Sequence, residues 1–437
     1  MKELQSHPLV QQFLTDVCRY VKAVDQHRSI KAELVDHIND RITEYKGKGM
    51  EEDEAVALAV ADMGAADAVG SELHRIHRPI MDWSLVGLLL LFLAMGVVAM
   101  LSVQAGAAIN NGVSLVERTI LFSAMGLGII VVLWFFDYRK IKLYSHWIFG
   151  SALMLMLFSA MSGNQINGTK RYLFIGSIGF DTTMIGLLLL LIALPGMSAA
   201  KEWSARQTVI QLAYRLVIPL VLFMICVSTV AAVLYIIGFF IHLWMTRRSV
   251  RQFGLLAGGT AAIVLFLILF GPSYPFNNYQ FVRLTAFLLD DPEGSGYMTA
   301  QSMEAINAAG WWGHGIGATL DRLPYVHSDH VIPYVVYCFG WAGGIAIAVI
   351  AVFFIVKVGQ LVHRQRNHYG KLIMLLLFML LSIQFIFPML AAYGLAPITS
   401  IAIPFISYGN IQLLLNCVAV GLILTINKRR NMITSMD

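Results

Sequence analysis

A carboxylate and an imidazole lie close together in the segment His327-Ser328-Asp329. Pro333 suits the first turn of a helix, so this segment is predicted to come just before a helix N-terminus. One interpretation is that Asp329 caps that helix, which is worth ~0.5–2 kcal/mol because the first backbone N–H groups lack partners. The other is that Asp329 is a general base at a lipid–water boundary, with His327 orienting it or helping to hold a metal ion. Both interpretations stay open on the residues alone.

Two adjacent cations, Lys170 and Arg171, lie in a polar segment between two apolar runs. A guanidinium binds phosphate through two parallel hydrogen bonds, and an ammonium group supplies a point charge. The pair therefore predicts either a site for an anionic ligand such as a pyrophosphate or an anchor for lipid headgroups.

The longest polar stretch between apolar runs covers residues 272–330. Glycines in it supply tight turns and close backbone approach: Gly294, Gly296, Gly313, Gly315 and Gly317. Two tryptophans, Trp311 and Trp312, suit the level of lipid headgroups. Such a loop either cradles a lipid-linked substrate or forms a lid over the helices.

The first part of this stretch carries two further patterns. Its apolar residues at helical spacing predict a helix lying in the membrane interface: Phe281, Leu284, Phe287 and Leu288. Its acidic residues predict either a site for a divalent cation or a solvated turn: Asp290, Asp291 and Glu293.

Composition indicates what positions these residues. Hydrophobic residues make up 58% of the chain and charged residues 13%, about half the charged share of a typical soluble domain. The net charge of +5 comes from short basic clusters beside apolar runs, a pattern of membrane topology and not of nucleic-acid binding. Ten spans are predicted, at residues 83–104, 118–136, 145–162, 182–198, 215–226, 228–245, 253–271, 332–357, 371–393 and 407–427.

The basic clusters fall on one side of these spans, which the positive-inside rule assigns to the cytoplasm. Both termini are then cytoplasmic, and the loops at residues 162–181 and 272–330 are on the outer side. The span interiors carry almost no charged residues, with His242 an exception. This scarcity disfavours ion-coupled transport, which uses ionisable groups within the membrane.

Residues 1–80 are predicted to form a separate helical domain in the cytoplasm. Apolar residues recur every four positions and define a helix that ends at residues 47–49: Ile30, Leu34, Ile38 and Ile42. A second helix is predicted at residues 51–63. Because short amphipathic helices need partners to bury their apolar faces, we expect a small bundle.

Three stretches carry a family resemblance. PFISYGN at residues 404–410 resembles Pro-Phe-x-Ser-Tyr-Gly-Gly, and LPYVHSDHV at residues 323–331 resembles Leu-Pro-Glu-x-His-Thr-Asp-Phe. GSGYMTAQSMEAINAAGWWGHGIG at residues 294–317 resembles Gly-x-Gly-Tyr-Gln-x-x-Gln-Ser-x-x-Ala-Ile-Gly-x-Gly-Gly-x-x-Gly-x-Gly. The membrane part, residues 81–437, therefore resembles the SEDS family (shape, elongation, division and sporulation). Residues 1–80 resemble the HAAS type of helical domain, which implies an interaction role.

The resemblance implies an all-α polytopic membrane fold and an inverting peptidoglycan glycosyltransferase. Such an enzyme polymerises lipid II into β-1,4-linked glycan strands at the outer face of the bacterial cytoplasmic membrane, for shape, division or sporulation. The family's essential acid falls on Asp329, which is expected to deprotonate the acceptor hydroxyl. Lys170 and Arg171 are expected to stabilise the pyrophosphate leaving group. The other substrate-binding residues implied are Gln301, Ser302, His327, Ser328, Ser407 and Tyr408.

The resemblance also implies two companions of the enzyme. One is a divalent cation, magnesium or manganese, for which no ligands are assigned. The other is a class B penicillin-binding protein, which cross-links the strands.

The chain departs from the family motifs at several polar positions. Residues 181–184 read Asp-Thr-Thr-Met in place of Gln-Pro-Ser-Glu, and residues 337–338 read Tyr-Cys in place of a glutamate pair. Tyr325 replaces another glutamate, Asn410 replaces a glycine, and Pro388 and Ala392 replace asparagines. The chain is therefore expected to be a divergent member.

Two other functions stay open beside the enzyme. A non-catalytic member that binds a lipid-linked precursor or a synthase is favoured by the lost glutamates and the added N-terminal domain. The retained His-Ser-Asp segment opposes it. A lipid II flippase is the third candidate, and the nearly charge-free spans disfavour it as a coupled transporter.

Overall fold

The computed structural model describes residues 7–21, 27–77, 81–106, 114–166, 169–176, 178–270, 296–320, 322–399 and 401–430. The chain divides into two compact units. One comprises the described residues up to Met81 and the C-terminal end from Asn427, and the other runs from Asp82 to Ile426. The first is built mainly of four short helices, and the second holds the helices of membrane length.

The four N-terminal helices are α1 (Pro8–Tyr20), α2 (His27–Gly47), α3 (Glu52–Asp62) and α4 (Ala66–His77). The four apolar residues that defined the spacing in α2 are all buried, together with residues of α1 and α3. Helix α2 ends beside Gly49, whose φ of 87° suits glycine. The second helix predicted in this region corresponds to α3.

The elements of the second unit follow in chain order: α5 (Trp83–Gly106), α6 (Leu115–Phe135), α7 (Arg139–Ser162), β1 (Asn164–Ile166), β2 (Thr169–Ile175), β3 (Ile178–Asp181), α8 (Thr182–Ala193), α9 (Ala205–Ile225), α10 (Thr229–Thr246), α11 (Val250–Phe270), α12 (Tyr297–Ala308), α13 (Val331–Arg364), α14 (His368–Ala392) and α15 (Asn410–Lys428). Each of the ten predicted spans overlaps a helix, although residues 407–409 and the end of the span at 182–198 are not α-helical. Within the described residues, eight helices are long and apolar enough to cross a membrane, and α8 and α11 contribute shorter apolar segments. The predicted class, an all-α polytopic membrane protein, is confirmed.

The segment between α7 and α8 was expected to be a loop, and this detail is wrong. Residues 164–181 contain an antiparallel sheet of order β1-β2-β3, in which Leu173 pairs with Phe180 and Tyr172 pairs with Asp181. Aromatic and β-branched residues in β2 favour strand structure. One short apolar helix, α8, separates the sheet from the residues before α9. We call the side of the sheet the outer side, following the charge pattern.

An aromatic cluster holds the outer segments against the spans. Phe92 of α5, Phe354 of α13, Phe385 of α14 and Phe405 pack with ring centroids 4.9–6.4 Å apart. Phe405 has a φ of 65°, which is uncommon for a residue with a side chain. A Cβ at Gly96 would lie 2.1 Å from the carbonyl oxygen of Phe405, so this glycine permits the close approach. The chain before α15 is thereby fixed.

Arg215 was predicted at the inner end of a span that begins there, and the structure corrects this. Helix α9 begins ten residues earlier, at Ala205, and Arg215 is fully buried within it. Its guanidinium donates hydrogen bonds to the carbonyl and hydroxyl oxygens of Ser198 at 2.9 and 2.8 Å. It also lies 5.2 Å from the ring centroid of Trp203. These neutral partners make the buried charge tolerable, so Arg215 joins His242 as a polar residue inside the spans.

Candidate active site

The turn that carries Asp329 precedes α13 directly. The N–H groups of Ser328 and His330 both donate to the carbonyl of Tyr325, at 3.0 and 3.3 Å. Tyr325 has a φ of 55°, so the turn has left-handed backbone at a non-glycine residue. The N-cap residue of α13 is His330, not Asp329, and its side chain makes no capping hydrogen bond. Asp329 therefore lies one residue before the N-cap position.

Asp329 lines a narrow cavity with a volume of about 10 Å³, which is about the room of one water molecule. The residues around it come from the turn, from α12 to α14 and from the segment after α14: Ser302, Asp329, His330, Pro333, Phe387, Pro388, Ala391, Ala392, Ile398, Thr399 and Ile401. The α14 side of this wall is apolar, because Pro388 and Ala392 stand where the family motif has asparagines. Polar chemistry in the cavity is therefore concentrated around Asp329.

Arg171 of β2 is the cation associated with this carboxylate. Its Nε lies 3.4 Å from Oδ2 of Asp181, and Nη2 donates to the hydroxyl oxygen of Tyr172 at 3.0 Å. Burial acts to lower the pKa of Arg171, but the carboxylates of Asp181 and Asp329 and the Tyr172 hydroxyl outweigh it, so the pKa is raised. Arg171 is therefore held as a cation beside Asp181, and the charge of Asp329 adds a smaller stabilising effect.

Asp181 has two tasks, one for each carboxylate oxygen. Oδ1 caps α8 by accepting from the N–H groups of Thr183 and Met184 at 3.0 and 3.3 Å, and from the Thr183 hydroxyl at 2.6 Å. Oδ2 faces Arg171. Residues 181–184 differ from the family motif and lack its glutamate. Asp181 nevertheless supplies a carboxylate here, and the sequence analysis did not predict this role.

Lys170 is exposed, whereas Arg171 is half-buried. Successive side chains of a strand point to opposite faces of a sheet, so adjacent residues of β2 cannot both face one ligand from the same side. The backbone carbonyl of Lys170 accepts a hydrogen bond from the hydroxyl of Ser159 at 3.1 Å. The structure thus separates the environments of the two predicted phosphate-binding cations.

The segment before α15 is bonded to the turn of Asp329. The hydroxyl of Ser407 donates to the carbonyl of Ser328 at 3.2 Å, and the N–H of Tyr408 donates to the carbonyl of His327 at 2.8 Å. The rings of His327 and Tyr408 meet edge to face with centroids 5.8 Å apart. Burial lowers the pKa of His327, which favours its neutral form. These four predicted residues therefore lie together around the turn of Asp329, and they are not part of the cavity lining: His327, Ser328, Ser407 and Tyr408.

The two predicted residues of α12 differ in position. Ser302 is fully buried and lines the cavity, and its hydroxyl contacts Nδ1 of His330 at 3.2 Å. Gln301 is half-buried and is not among the described residues that line the cavity. His330 was missed by sequence reasoning, although a histidine in place of the motif's phenylalanine was a signal that could have singled it out.

The glycine-rich loop after α12 packs against a break in α13. Gly340 has φ 75° and ψ −179°, which interrupts the helix. The N–H of His314 donates to the carbonyl of Tyr337 at 3.0 Å, so the loop satisfies a carbonyl at the break. A Cβ at Gly313 would lie 2.3 Å from the carbonyl oxygen of Cys338. The expected close backbone approach is confirmed, and it fixes the loop to the helix that begins beside Asp329.

The residues around Asp329 do not fit a metal centre held by the protein. Among the described residues, no group of three or more His, Cys, Asp or Glu side chains is arranged to hold a metal ion. The lining residues of the cavity include one carboxylate, and the Nδ1 atom of His330 is directed to Ser302. No catalytic step is therefore assigned to a cation. The interfacial helix and the acidic cluster predicted at residues 281–293 lie outside the described residues.

Fold and site together define a class: a polytopic helical membrane protein with a carboxylate-lined cavity at the N-terminal end of α13. A family model described as cell cycle protein, for FtsW, RodA and SpoVE, matches residues 82–432. The chain belongs to this family, which is the SEDS family, and the resemblance found in the sequence is confirmed.

Individual relatives and solved structures agree with this assignment. The probable peptidoglycan glycosyltransferase FtsW of Nitrosomonas europaea is 26% identical over 375 residues, which cover 80% of this chain and 93% of that protein. The corresponding protein of Aeromonas salmonicida is 27% identical, over 84% of this chain and 96% of that protein.

Two solved structures share the fold. A chain of a peptidoglycan synthase complex that coordinates polymerization and crosslinking matches with a TM-score of 0.64 at 21% identity, over 80% of this chain and 98% of that one. The rod shape determining protein RodA of Thermus thermophilus matches with a TM-score of 0.58 at 18% identity, over 80% of this chain and 97% of that one.

Proposed function

We propose that this protein is a peptidoglycan glycosyltransferase that polymerises lipid II into β-1,4-linked glycan strands, in cell-wall synthesis for shape, division or sporulation. Its family and the names of its relatives support this proposal. The observation that carries it is the placement of Asp329 in a cavity with the cation Arg171 nearby. A base and a cation are the two groups that transfer of a sugar from a pyrophosphate requires.

Asp329 acts as the general base in this mechanism. Its carboxylate accepts the proton of the acceptor sugar hydroxyl while that oxygen attacks the anomeric carbon of the donor. The bond between the anomeric carbon and the pyrophosphate oxygen breaks, and the undecaprenyl pyrophosphate leaves with the bonding electrons. Attack from the side opposite the leaving group inverts the configuration at the anomeric carbon.

Arg171 stabilises the charge that develops on the leaving pyrophosphate. A guanidinium held in place beforehand favours the transition state without having to reorganise. Lys170, on the other face of β2, binds lipid headgroups or a more distant phosphate. Gln301, Ser302, His327, Ser328, Ser407 and Tyr408 shape the substrate site, with the contacts of Ser407 and Tyr408 keeping the turn of Asp329 in position.

The membrane topology and the partners of the protein are part of the same proposal. The protein crosses the bacterial cytoplasmic membrane with both termini in the cytoplasm and the cavity on the outer side, where lipid II is used. The expected partner is a class B penicillin-binding protein, which the structural likeness to a chain of a peptidoglycan synthase complex supports. The HAAS-like N-terminal domain binds a cytoplasmic partner.

The test is lipid II polymerisation by the full-length protein, purified with its class B partner. Wild type, Asp329→Ala and Asp329→Asn are compared at equal amounts of folded protein. We expect glycan strands from the wild type and at least ~10³-fold less product from both variants, because each loses the proton acceptor. Glu304→Gln, which changes an exposed carboxylate on α12, is the matched control and should polymerise like the wild type.

Other outcomes point to the other functions. Strands formed equally well by Asp329→Ala would show that another group is the base. No strands from the wild type, with lipid II binding retained, would support the non-catalytic regulator. Movement of lipid II between the leaflets of liposomes, unaffected by Asp329→Ala, would support the flippase.

A further inference from the structure

His330 is a buried, polar and unexplained residue next to the proposed base. It is 4% exposed, it lines the same cavity as Asp329, and it occupies the N-cap position of α13 without capping the helix. A phenylalanine would fill such a buried position without a polar group that needs a partner. The imidazole must therefore be explained by what its nitrogen atoms contact.

The contact that explains it is with Ser302 of α12. The Ser302 hydroxyl donates its proton to the carbonyl of Met298, one turn earlier in the helix, at 2.9 Å. The same oxygen lies 3.2 Å from Nδ1 of His330. Because a hydroxyl has one proton, Ser302 accepts from His330, and the hydrogen-bond network assigns a proton to Nδ1.

This hydrogen bond joins two elements that are far apart in the sequence. Ser302 belongs to α12, and His330 connects the turn of Asp329 to α13. Ser302 is fully buried, so water does not compete for the bond. We propose that His330 is a positioning residue whose Nδ1–H···Oγ bond to Ser302 anchors the turn of Asp329 to α12. This inference rests on the proposed function, since it assumes that Asp329 is the base.

The anchor acts on the rate of the chemical step and not on binding of lipid II. A general base must lie within hydrogen-bond reach of the proton that it accepts, and a displacement of about 1 Å can lower the rate about 10²-fold. Substrate contacts elsewhere on the protein are unaffected by a small movement of the turn. The expected signature is therefore a lower kcat at a nearly constant KM.

The test uses four variants of the full-length protein in complex with its class B partner. His330→Phe keeps the volume and removes both nitrogen atoms, and Ser302→Ala removes the acceptor. His330→Asn places an amide N–H near the position of Nδ1, and the double variant Ser302→Ala/His330→Phe closes a thermodynamic cycle. Ser162→Ala is the matched control, because its exposed hydroxyl makes the same bond within its own helix, to Phe158.

We expect kcat to fall roughly 10- to 100-fold in His330→Phe and in Ser302→Ala, with KM within about threefold of the wild type. The double variant should be no slower than the slower single variant, because both changes remove one interaction. His330→Asn should recover most of the lost rate. Ser162→Ala should behave like the wild type.

Two results would overturn the anchor. Wild-type kcat in His330→Phe would mean that the residue only fills space. Fully additive losses in the double variant would mean that Ser302 and His330 act separately. If the wild type itself makes no strands, the proposed function fails, and the same cycle measured by thermal unfolding still tests the anchor, with additive destabilisation counting against it.

Discussion

Arg171 and Arg215 are arginines in different surroundings: Arg171 is half-buried in β2, and Arg215 is fully buried within α9. Arg171, on the outer side, contacts the carboxylate of Asp181 and is influenced by that of Asp329, which lines a cavity. Arg215, within α9, donates to the carbonyl and hydroxyl of Ser198 and lies against the ring of Trp203, while its buried Nε has no hydrogen-bond partner among the described residues. No ion pair with a carboxylate is found for Arg215 within the described part of the chain.

The difference indicates what each arginine is for. A guanidinium whose partners are all neutral, as for Arg215, fits a purely structural role. Carboxylates beside a cation adjust the charge of a site, as is usual where charged groups react or bind. Burial of a cation is therefore uninformative by itself, and the partners distinguish the functional arginine from the structural one.

The largest expected effect comes from replacing each arginine by glutamine. Arg171→Gln should lower polymerisation roughly 10²–10³-fold, because it removes the charge that stabilises the leaving group. Arg215→Gln should lower the free energy of unfolding by about 1–3 kcal/mol, because the two Ser198 oxygens lose hydrogen bonds from a charged donor. Polymerisation rate per folded protein and thermal unfolding in detergent measure the two effects.

The comparison predicts that the two effects are separate. Arg171→Gln should unfold close to the wild-type temperature, and the Arg215→Gln protein that does fold should polymerise at a nearly normal rate. If both variants lose stability alike and both keep their activity per folded molecule, the distinction between a functional and a structural arginine is wrong.

A smaller effect is expected from Asp181→Asn. Asparagine can still cap α8 through its side-chain oxygen, so the change mainly removes the negative charge that faces Arg171. We expect a loss of about 10- to 100-fold in polymerisation, because Arg171 is no longer held in place. The rates of the wild type and the variant at saturating lipid II measure it.

Asp82→Asn is the matched control for this change. Asp82 also has two tasks: Oδ1 accepts from the N–H of Leu85 at 3.1 Å, and Oδ2 pairs with Lys357 at 3.0 Å. It lies three spans away from the sheet, on the inner side. A loss of activity in Asp82→Asn as large as that in Asp181→Asn would mean that any weakened ion pair disturbs the enzyme.

The spans and the N-terminal helices could be predicted because their signal is local. A membrane span is recognised from the composition of its own apolar run. The four-residue spacing from Ile30 to Ile42 likewise defines a helix face without knowledge of the helix that packs against it. The role of the glycines in the long loop could also be predicted. Few residues other than glycine fit a position such as Gly313, where two backbone segments are in contact.

The sheet and the contacts within the site could not be predicted from the same kind of signal. Strands of three, seven and four residues are too short to show a clear alternation. The pairing of Arg171 with Asp181 depends on the register of β2 and β3, and the contact of Ser302 with His330 joins residues that are 28 positions apart. These interactions form only when the chain folds, so residue types alone do not predict which residues pair.

The smallest expected effect is a loss of stability at acid pH, which we attribute to His327 and not to a histidine of the inner region. His327 packs against Tyr408, and its burial lowers its pKa below the ordinary value of 6.5. The unfolded chain then binds more protons than the folded one as the pH falls below about 6.5, so the free energy of unfolding decreases there. Thermal unfolding of the wild type between pH 7.5 and about 5 measures the decrease, and His327→Phe should reduce it. His146→Gln removes an exposed imidazole near the inner end of α7 and should leave the wild-type dependence unchanged. An equal dependence on pH in the wild type and His327→Phe would mean that another group of the protein is responsible.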